Sequence, residues 1–376
     1  MRVLFTCGGT AGHINPVIGV AGRLRELMPD TEVLFIGAQG KMETELVPRE
    51  GYDIRTIAIS SLSRSLSFSG LKHNIRAAWH LATAMPAARK IIRDFKPDVV
   101  VGTGGYVCYP VLRQAAALGI PTAVHESNAM PGLTTRKLES VVDVIMVGFE
   151  SAKANYKDVS RVRVTGTPVR VGFGQEDKAS AKKALGLPAD KPLLLSVWGS
   201  LGATEMNKTV AGLIGLSMTD PSFTLVHSAG KRGFDSMTAW MRDELGLSGW
   251  EEKGFEVRDY IYDMPRLMAA ADLILCRSGA STLAELTAMG KPCILVPSPN
   301  VVGDHQMKNA MVLGEAGGAV VIAEKDATEE RLHREVTRLL GNPARLESMG
   351  AAMRSLSVGR AVDEICGIVL ELAEKK

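Results

Sequence analysis

Short apolar runs alternate with amphipathic stretches along almost the whole of this 376-residue chain. The runs predict strands at 2–6, 32–36, 98–102, 121–124 and 141–147, then at 192–197, 223–227, 254–257, 272–276, 292–296 and 319–322. Between them, apolar residues spaced three and four apart predict helices. In the first, from Asn15 to about Met28, the residues Ile18, Ala21, Leu24 and Met28 make one buried face. Others are expected at 41–49, in a stretch ending at Phe95, and at 109–118, 131–139, 203–216, 235–245, 263–270, 281–289, 304–316, 328–340, 343–354 and 360–374. Strand and helix in alternation is the pattern of an α/β protein with parallel sheets.

Two glycine loops divide this pattern into halves. T-C-G-G-T-A-G-H, Thr6 to His13, follows the first run, and V-W-G-S-L-G-A, Val197 to Ala203, follows the run at 192–196. A strand, a glycine turn and a helix together aim backbone N–H groups at an anion. Two such units predict two Rossmann-like, doubly wound domains facing a cleft, at 1–165 and 177–357. The proline, glycines and charge shift of T-G-T-P-V-R and V-G-F-G-Q-E-D-K mark 166–176 as the linker. After V-G at 358–359, the last helix, 360–374, can return to the first domain.

Composition changes this picture little. With 46% hydrophobic and 23% charged residues and a net charge of +3, the chain reads as soluble and globular, and nucleic acid is not an expected partner. The distribution of charge says more. From Ile54 to Arg93 there is no acid, yet Arg55, Arg64, Lys72, Arg76, Arg89, Lys90 and Arg93 fall there beside Leu62, Leu66, Phe68, Leu71, Ile75 and Trp79. Basic and apolar residues together predict a surface that docks on an anionic leaflet, with Lys72, Ile75, Arg76 and Trp79 at its centre. The competing reading is an amphipathic helix whose apolar side is core. The five cysteines are scattered without metal-ligand spacing, so buried free thiols in a reducing compartment are expected. No signal peptide is visible and no apolar run approaches the ~20 residues of a membrane span.

The loops exclude common nucleotide sites. Gly8-Gly9-x-x-Gly12 is not the dinucleotide spacing, no Gly-Lys pair precedes Ser or Thr, and no Asp-x-Asp occurs. A diphosphate bound here would be neutralised by amides, hydroxyls and an arginine, with no metal and no cofactor. In L-C-R-S-G-A-S-T-L-A-E-L, Leu275 to Leu286, a strand breaks into a helix. Gly279 and Ala280 offer first-turn amides, Ser278 and Thr282 add hydroxyls, and Glu285 can accept from a ribose diol. The bland alternative is an N-capped core helix with Glu285 solvated. Adjacent S-P-N-V-V-G-D-H-Q-M-K-N-A, Ser298 to Ala310, weighs toward the nucleotide.

His13 closes the first loop at the positive end of a helix, where a neutral imidazole suits a general base. Glu126 is the rival base, and His125 reads as structural. The turn Gly104-Gly105-Tyr106 follows a strand and offers amides to an acceptor diphosphate, or is turn chemistry alone.

G-G-T-A-G-H-I-N-P, G-T-G-G-Y-V, H-E-S-N-A-M-P-G-L-T-T-R, T-G-T-P-V-R, W-G-S-L-G-A, C-R-S-G-A-S-T-L-A-E and D-H-Q-M-K-N-A stand in the order of one family. Through them the chain, from residue 1 to about 320, resembles the MurG-type N-acetylglucosaminyltransferases of bacterial cell-wall synthesis. The resemblance implies an inverting, metal-independent transferase of the GT-B fold. It would move N-acetylglucosamine from UDP-N-acetylglucosamine onto undecaprenyl-diphospho-muramoyl pentapeptide (lipid I), giving lipid II, at the cytoplasmic face of the cell membrane and beside other enzymes of peptidoglycan synthesis.

By matching motif, the resemblance implies that Thr10, Ala11 and Gly12 line the donor site and that Asn128 reaches the sugar. Arg170 would lie near the nucleotide, Ser200 on the α-phosphate, and the Ile261 backbone on the uracil. Glu285 would hold the ribose, and His305 with Gln306 the sugar hydroxyls. The chain departs from the family at Ala11, where glycine is usual, at Ser127 and His305, where glutamine is, and in W-G-S-L-G-A for G-G-S-Q-G-A. Other readings are a UDP-N-acetylglucosamine 2-epimerase, a diacylglycerol glycosyltransferase, and a non-catalytic sugar-nucleotide-binding subunit.

Overall fold

A computed structural model of the protein describes residues 1–60, 68–169, 172–198 and 203–375. They form two compact units, Met1–Arg170 with Val358–Lys376, and Val171–Ser357.

In the first unit the order is β1 (Arg2–Thr6), α1 (Ala11–Leu27), β2 (Glu32–Ala38), α2 (Glu43–Arg49), β3 (Asp53–Ile57), α3 (Phe68–Phe95), β4 (Val99–Gly102), α4 (Cys108–Ala117), β5 (Thr122–Glu126), α5 (Leu133–Leu138), β6 (Val144–Val147) and β7 (Val162–Val164). The seven strands pair in parallel in the order β3-β2-β1-β4-β5-β6-β7. Strands buried on both faces read as continuous apolar runs, and the period of two assigns each residue to a face. Val3, Phe5, Val33, Phe35, Val99 and Val101 pack with Ile14, Val17, Ala21 and Leu24 of α1. Leu4, Leu34, Ile36 and Val100 pack instead with Ala84, Ala88 and Ile92 of α3 and with Val111 and Leu112 of α4. Met28, expected on the buried face of the first helix, lies just past its end and is exposed.

The second unit runs α6 (Lys178–Ala184), β8 (Leu193–Val197), α7 (Thr204–Ser217), β9 (Thr224–Ser228), α8 (Phe234–Asp243), β10 (Phe255–Arg258), α9 (Met264–Ala270), β11 (Leu273–Cys276), α10 (Ala280–Met289), β12 (Cys293–Leu295), α11 (His305–Glu315), β13 (Ala319–Val321), α12 (Glu329–Leu340) and α13 (Pro343–Ser355). Its six parallel strands are ordered β10-β9-β8-β11-β12-β13. A last helix, α14 (Ala361–Glu374), belongs to the first unit. Ile365, Cys366, Val369 and Leu372 join the core around Val3 and Phe5, and Arg23 pairs with Asp363 at 2.8 Å.

Among the described residues, three elements, counting strands and α-helices, lie outside the predicted set. β3 and β7 are edge strands, and the exposed Asp53, Arg55 and Arg163 interrupt their apolar pattern. α6 is short and starts at Asp177, whose carboxylate accepts from the Ala179 and Ser180 amides. Both sheets follow the doubly wound order, which reverses between β1 and β4 in one and between β8 and β11 in the other. Ligands of such sheets sit at the carboxyl ends of the strands where the order reverses.

Candidate active site

At the first reversal, the loop after β1 meets the turn after β4. His13 lies in the first turn of α1, and its Nδ1 is 2.8 Å from the Thr103 carbonyl oxygen. A carbonyl only accepts, so Nδ1 carries a proton, and in the neutral ring the lone pair is on Nε2. The Thr103 hydroxyl donates back to the His13 carbonyl at 2.6 Å, which fixes the backbone as well as the ring. Gly104, at φ +101°, follows directly, and a Cβ there would come within 2.8 Å of the imidazole. A Cβ on Gly105 would strike the Gly8 carbonyl at 2.4 Å. The two glycine turns therefore interlock, and Tyr106 stands half-buried at their edge. Thr10 is the extended, exposed residue that starts α1, and Gly12 is half-buried in its first turn.

Glu126 ends β5 and is buried. Its Oε1 accepts from the Asn128 amide at 3.1 Å and from Asn128 Nδ2 at 2.9 Å, and its Oε2 accepts from the Gly132 amide at 2.9 Å and the Thr135 hydroxyl at 2.7 Å. Four donors occupy the four acceptor positions of a carboxylate. These bonds fasten the loop from Asn128 to Thr135 to the carboxylate and orient Asn128. His125 is buried too, its Nε2–H donating to Gly166 at 2.8 Å and its Nδ1 accepting from Ser127 at 3.3 Å. Burial lowers its pKa, which favours the neutral ring.

At the second reversal β11 gives way to α10. Gly279 is the N-cap residue of the helix, and a Cβ on it would meet nothing within 4 Å. Ala280 and Thr282 are half-buried in the first turn. Ser278 differs from expectation. It is fully buried, and its hydroxyl donates to the Gln306 carbonyl at 2.7 Å, tying α11 to this turn instead of offering a hydrogen outward. Gln306 Oε1 accepts from the Ser298 amide at 2.9 Å, and Asn309 donates to the Ser278 carbonyl at 3.3 Å. His305, half-buried, opens α11 after the left-handed Asp304. Glu285 is buried rather than solvated, and its charge adds to burial in pushing the Cys276 thiol up to about 12. Ile261 is buried just beyond β10. Arg170 and Ser200 lie outside the described residues, and so does the side chain of Ala11.

A buried network that the sequence reading missed leads into this region. Asn207 Nδ2 donates to the Ala229 carbonyl at 2.9 Å, so Asn207 Oδ1 accepts from His227 Nε2–H at 3.2 Å. His227 Nδ1 then accepts from Ser196 at 2.9 Å, and Ser196 Oγ accepts from Trp198 Nε1–H at 3.0 Å. Every direction follows from the one carbonyl. His227 is neutral, its pKa lowered by burial to about 3. The Arg277 guanidinium, paired with Glu324 and donating to Val296 at 3.0 Å, lies 5.3 Å over the Trp198 ring.

On α3, Ala77, Ala84, Ala88 and Ile92 are buried, while Lys72 and Arg76 are exposed. Ile75 and Trp79, one turn apart, are 65% and 69% exposed, so the competing reading of their apolar side as core does not hold for these two. Leu62, Arg64 and Leu66 lie outside the described residues, as do the side chains of Phe68 and Leu71. Among the described residues no helix is long and apolar enough to cross a membrane, no cluster of His, Cys, Asp and Glu is arranged to hold a metal, and all five cysteines are free and buried.

The glycosyltransferase family 28 N-terminal domain matches residues 3–147, and the C-terminal domain of that family matches residues 194–365. The chain is 40% identical over 376 residues to a protein of Acetivibrio thermocellus, covering 100% of this chain and 99% of that one. It is 39% identical over 377 residues to one of Alkaliphilus oremlandii, covering 100% of both. Each is named UDP-N-acetylglucosamine–N-acetylmuramyl-(pentapeptide) pyrophosphoryl-undecaprenol N-acetylglucosamine transferase. The crystal structure of Acinetobacter baumannii MurG superposes with a TM-score of 0.77 at 27% identity, covering 98% of this chain and 99% of that one. A UDP-GlcNAc 2-epimerase from Neisseria meningitidis, solved with UDP-GlcNAc bound, reaches 0.66 at 15% identity over 99% and 100%, a likeness of fold alone.

Proposed function

The chain belongs to glycosyltransferase family 28, and we propose that it transfers N-acetylglucosamine from UDP-N-acetylglucosamine to lipid I, forming lipid II for peptidoglycan. The observation that carries this reading is identity of about 40% along the whole chain to proteins named for that reaction. The epimerase alternative has only fold-level likeness in its favour.

In the proposed mechanism His13 is the general base. Its Nδ1–H is held by Thr103, which leaves Nε2 to take the proton of the acceptor's sugar hydroxyl as that oxygen attacks the anomeric carbon. Attack from the face opposite the leaving group inverts the configuration. UDP departs onto the N-terminal turn of α10 at Ala280–Thr282, where the helix dipole offsets its charge. Glu285 receives the ribose, Ile261 the uracil, and His305 with Gln306 the sugar. Arg170 and Ser200 complete the countercharge, so that no metal is required. Asn128, held by Glu126, orients the sugar, and the interlocked turn at Gly104–Tyr106 faces the acceptor diphosphate. Lys72, Ile75, Arg76 and Trp79 bring the first unit to the cytoplasmic leaflet that carries the lipid acceptor.

The test offers UDP-N-acetylglucosamine to the protein with lipid I and with diacylglycerol in parallel, followed by mass analysis. Lipid II is expected from lipid I alone, at the same rate in excess EDTA. Glycosylated diacylglycerol, or UDP-N-acetylmannosamine formed from donor alone, would replace this reading.

A further inference from the structure

Beneath the first glycine loop lies a carboxylate that the reaction above does not use. Glu43, the first residue of α2, is wholly buried. Its Oε1 accepts from the Ala38 amide at 2.9 Å and its Oε2 from the Gly9 amide at 3.2 Å, joining the ends of β2 and β1. The surrounding glycines make room for it. A Cβ on Gly37 would come within 2.5 Å of Glu43 Cγ, and one on Gly8 within 2.6 Å of its Oε1. Taking a carboxylate out of water is costly, and two amide donors recover only part of that cost. Gly9 precedes Thr10, where α1 starts, and the Gly8 carbonyl is the atom against which Gly105 packs.

We propose that Glu43 is a positioning residue for sugar transfer: by clamping the Gly9 turn it sets both His13 and the Gly104–Gly105 turn in register. Resting on the proposed reaction, this extends the site inward to a residue that touches no substrate. Burial raises the Tyr106 phenol, and the Glu43 carboxylate raises it further.

The test compares the full-length parent with Glu43→Gln, Glu43→Ala, Gly37→Ala and the Gly37→Ala/Glu43→Ala double variant, by hydrogen exchange and steady-state transfer. An amide side chain cannot accept from both N–H groups with both of its ends. Glu43→Gln should therefore speed exchange in peptides covering 7–14 and 37–40, with α4, α14 and the second unit as in the parent. Its kcat should fall about 10- to 100-fold, with the KM for UDP-N-acetylglucosamine and the affinity for UDP held. Gly37→Ala should reproduce the kcat loss by displacing the Glu43 side chain, and once Glu43 is alanine should add only the small effect of shifting Ile54 Cδ1, 3.0 Å from the new Cβ. Parental kcat in Glu43→Gln, faster exchange throughout the first unit, or full additivity of the two alanine changes would overturn the inference. A parent unable to glycosylate lipid I would overturn the proposed reaction instead, and exchange at Gly9 and Ala38 would still decide whether Glu43 holds the loop.

Discussion

His13 and Thr103 bond to each other twice: the imidazole Nδ1–H donates to the Thr103 carbonyl, and the Thr103 hydroxyl donates to the His13 carbonyl. The pair spans the point where the first sheet reverses its order, and it determines which ring nitrogen is basic. His13→Ala is expected to lower kcat by about 10²–10⁴-fold, the usual worth of a general base, while UDP binds the variant as it binds the parent. Parallel loss of UDP affinity and turnover in calorimetry and rate measurements would make His13 a binding residue.

Gly104 supplies a second, steric test of the same arrangement. Alanine there would be strained at φ +101° and would press its Cβ to 2.8 Å from the imidazole. Strain of this kind costs about 1 kcal/mol, and a misplaced base lowers kcat by about tenfold or more. Turnover should fall much further than the melting temperature does. Unchanged turnover would show that the ring position is unimportant.

For Glu126 the four hydrogen bonds predict loss of stability rather than loss of a proton acceptor. Glu126→Ala leaves those donors in a largely buried loop and should destabilise the first unit by about 2–4 kcal/mol. The pH dependence of kcat should keep its shape. Should the variant melt like the parent and yet fail to turn over, Glu126 and not His13 would be the base.

Acid should weaken the second unit through His227. Its folded pKa of about 3 lies below the ordinary imidazole value of 6.5. Between those values the unfolded chain binds a proton that the folded chain refuses. The stabilisation is complete above pH 6.5 and is lost as the pH falls toward 3, at about 1.4 kcal/mol per pH unit. His125, lowered by burial as well, acts in the same sense in the first unit. Urea titrations of the parent and of His227→Gln across this window should show a shallower acid slope in the variant. Equal slopes would mean that other groups cause the acid loss.

Membrane docking is expected to need both halves of the α3 surface. Basic residues near an anionic leaflet contribute about 1 kcal/mol each. Lys72→Glu with Arg76→Glu should therefore weaken binding to anionic vesicles by tenfold or more, with UDP affinity kept. Ile75→Ser with Trp79→Ser should weaken it in a way that added salt does not mimic. Sedimentation with vesicles would detect either effect, and parental binding by both variants would move the docking surface elsewhere.

The alternation of apolar runs and amphipathic stretches by itself determined the two parallel-sheet units, because strands buried on both faces and helices buried on one leave different periods in the chain. Glycine loops placed directly after strands likewise marked the carboxyl ends of β1 and β8, beside which each sheet reverses its order. What only the tertiary structure decided were relationships between distant residues. In the local pattern nothing separates the buried Glu43 from the exposed Glu45, and its task appears only where β1, β2 and α2 converge. Thr103 reaches His13 across 90 residues of chain, and His227 meets Asn207 and Ser196 only because β8, β9 and α7 pack together. Around Glu126 the sequence shows a carboxylate but not the four donors that surround it. Ile75 and Trp79 followed the spacing of a core helix, yet the buried side of α3 is lined by the small Ala77, Ala84 and Ala88. Periodicity reports that a residue lies on one side of an element, and folding alone settles what that side meets.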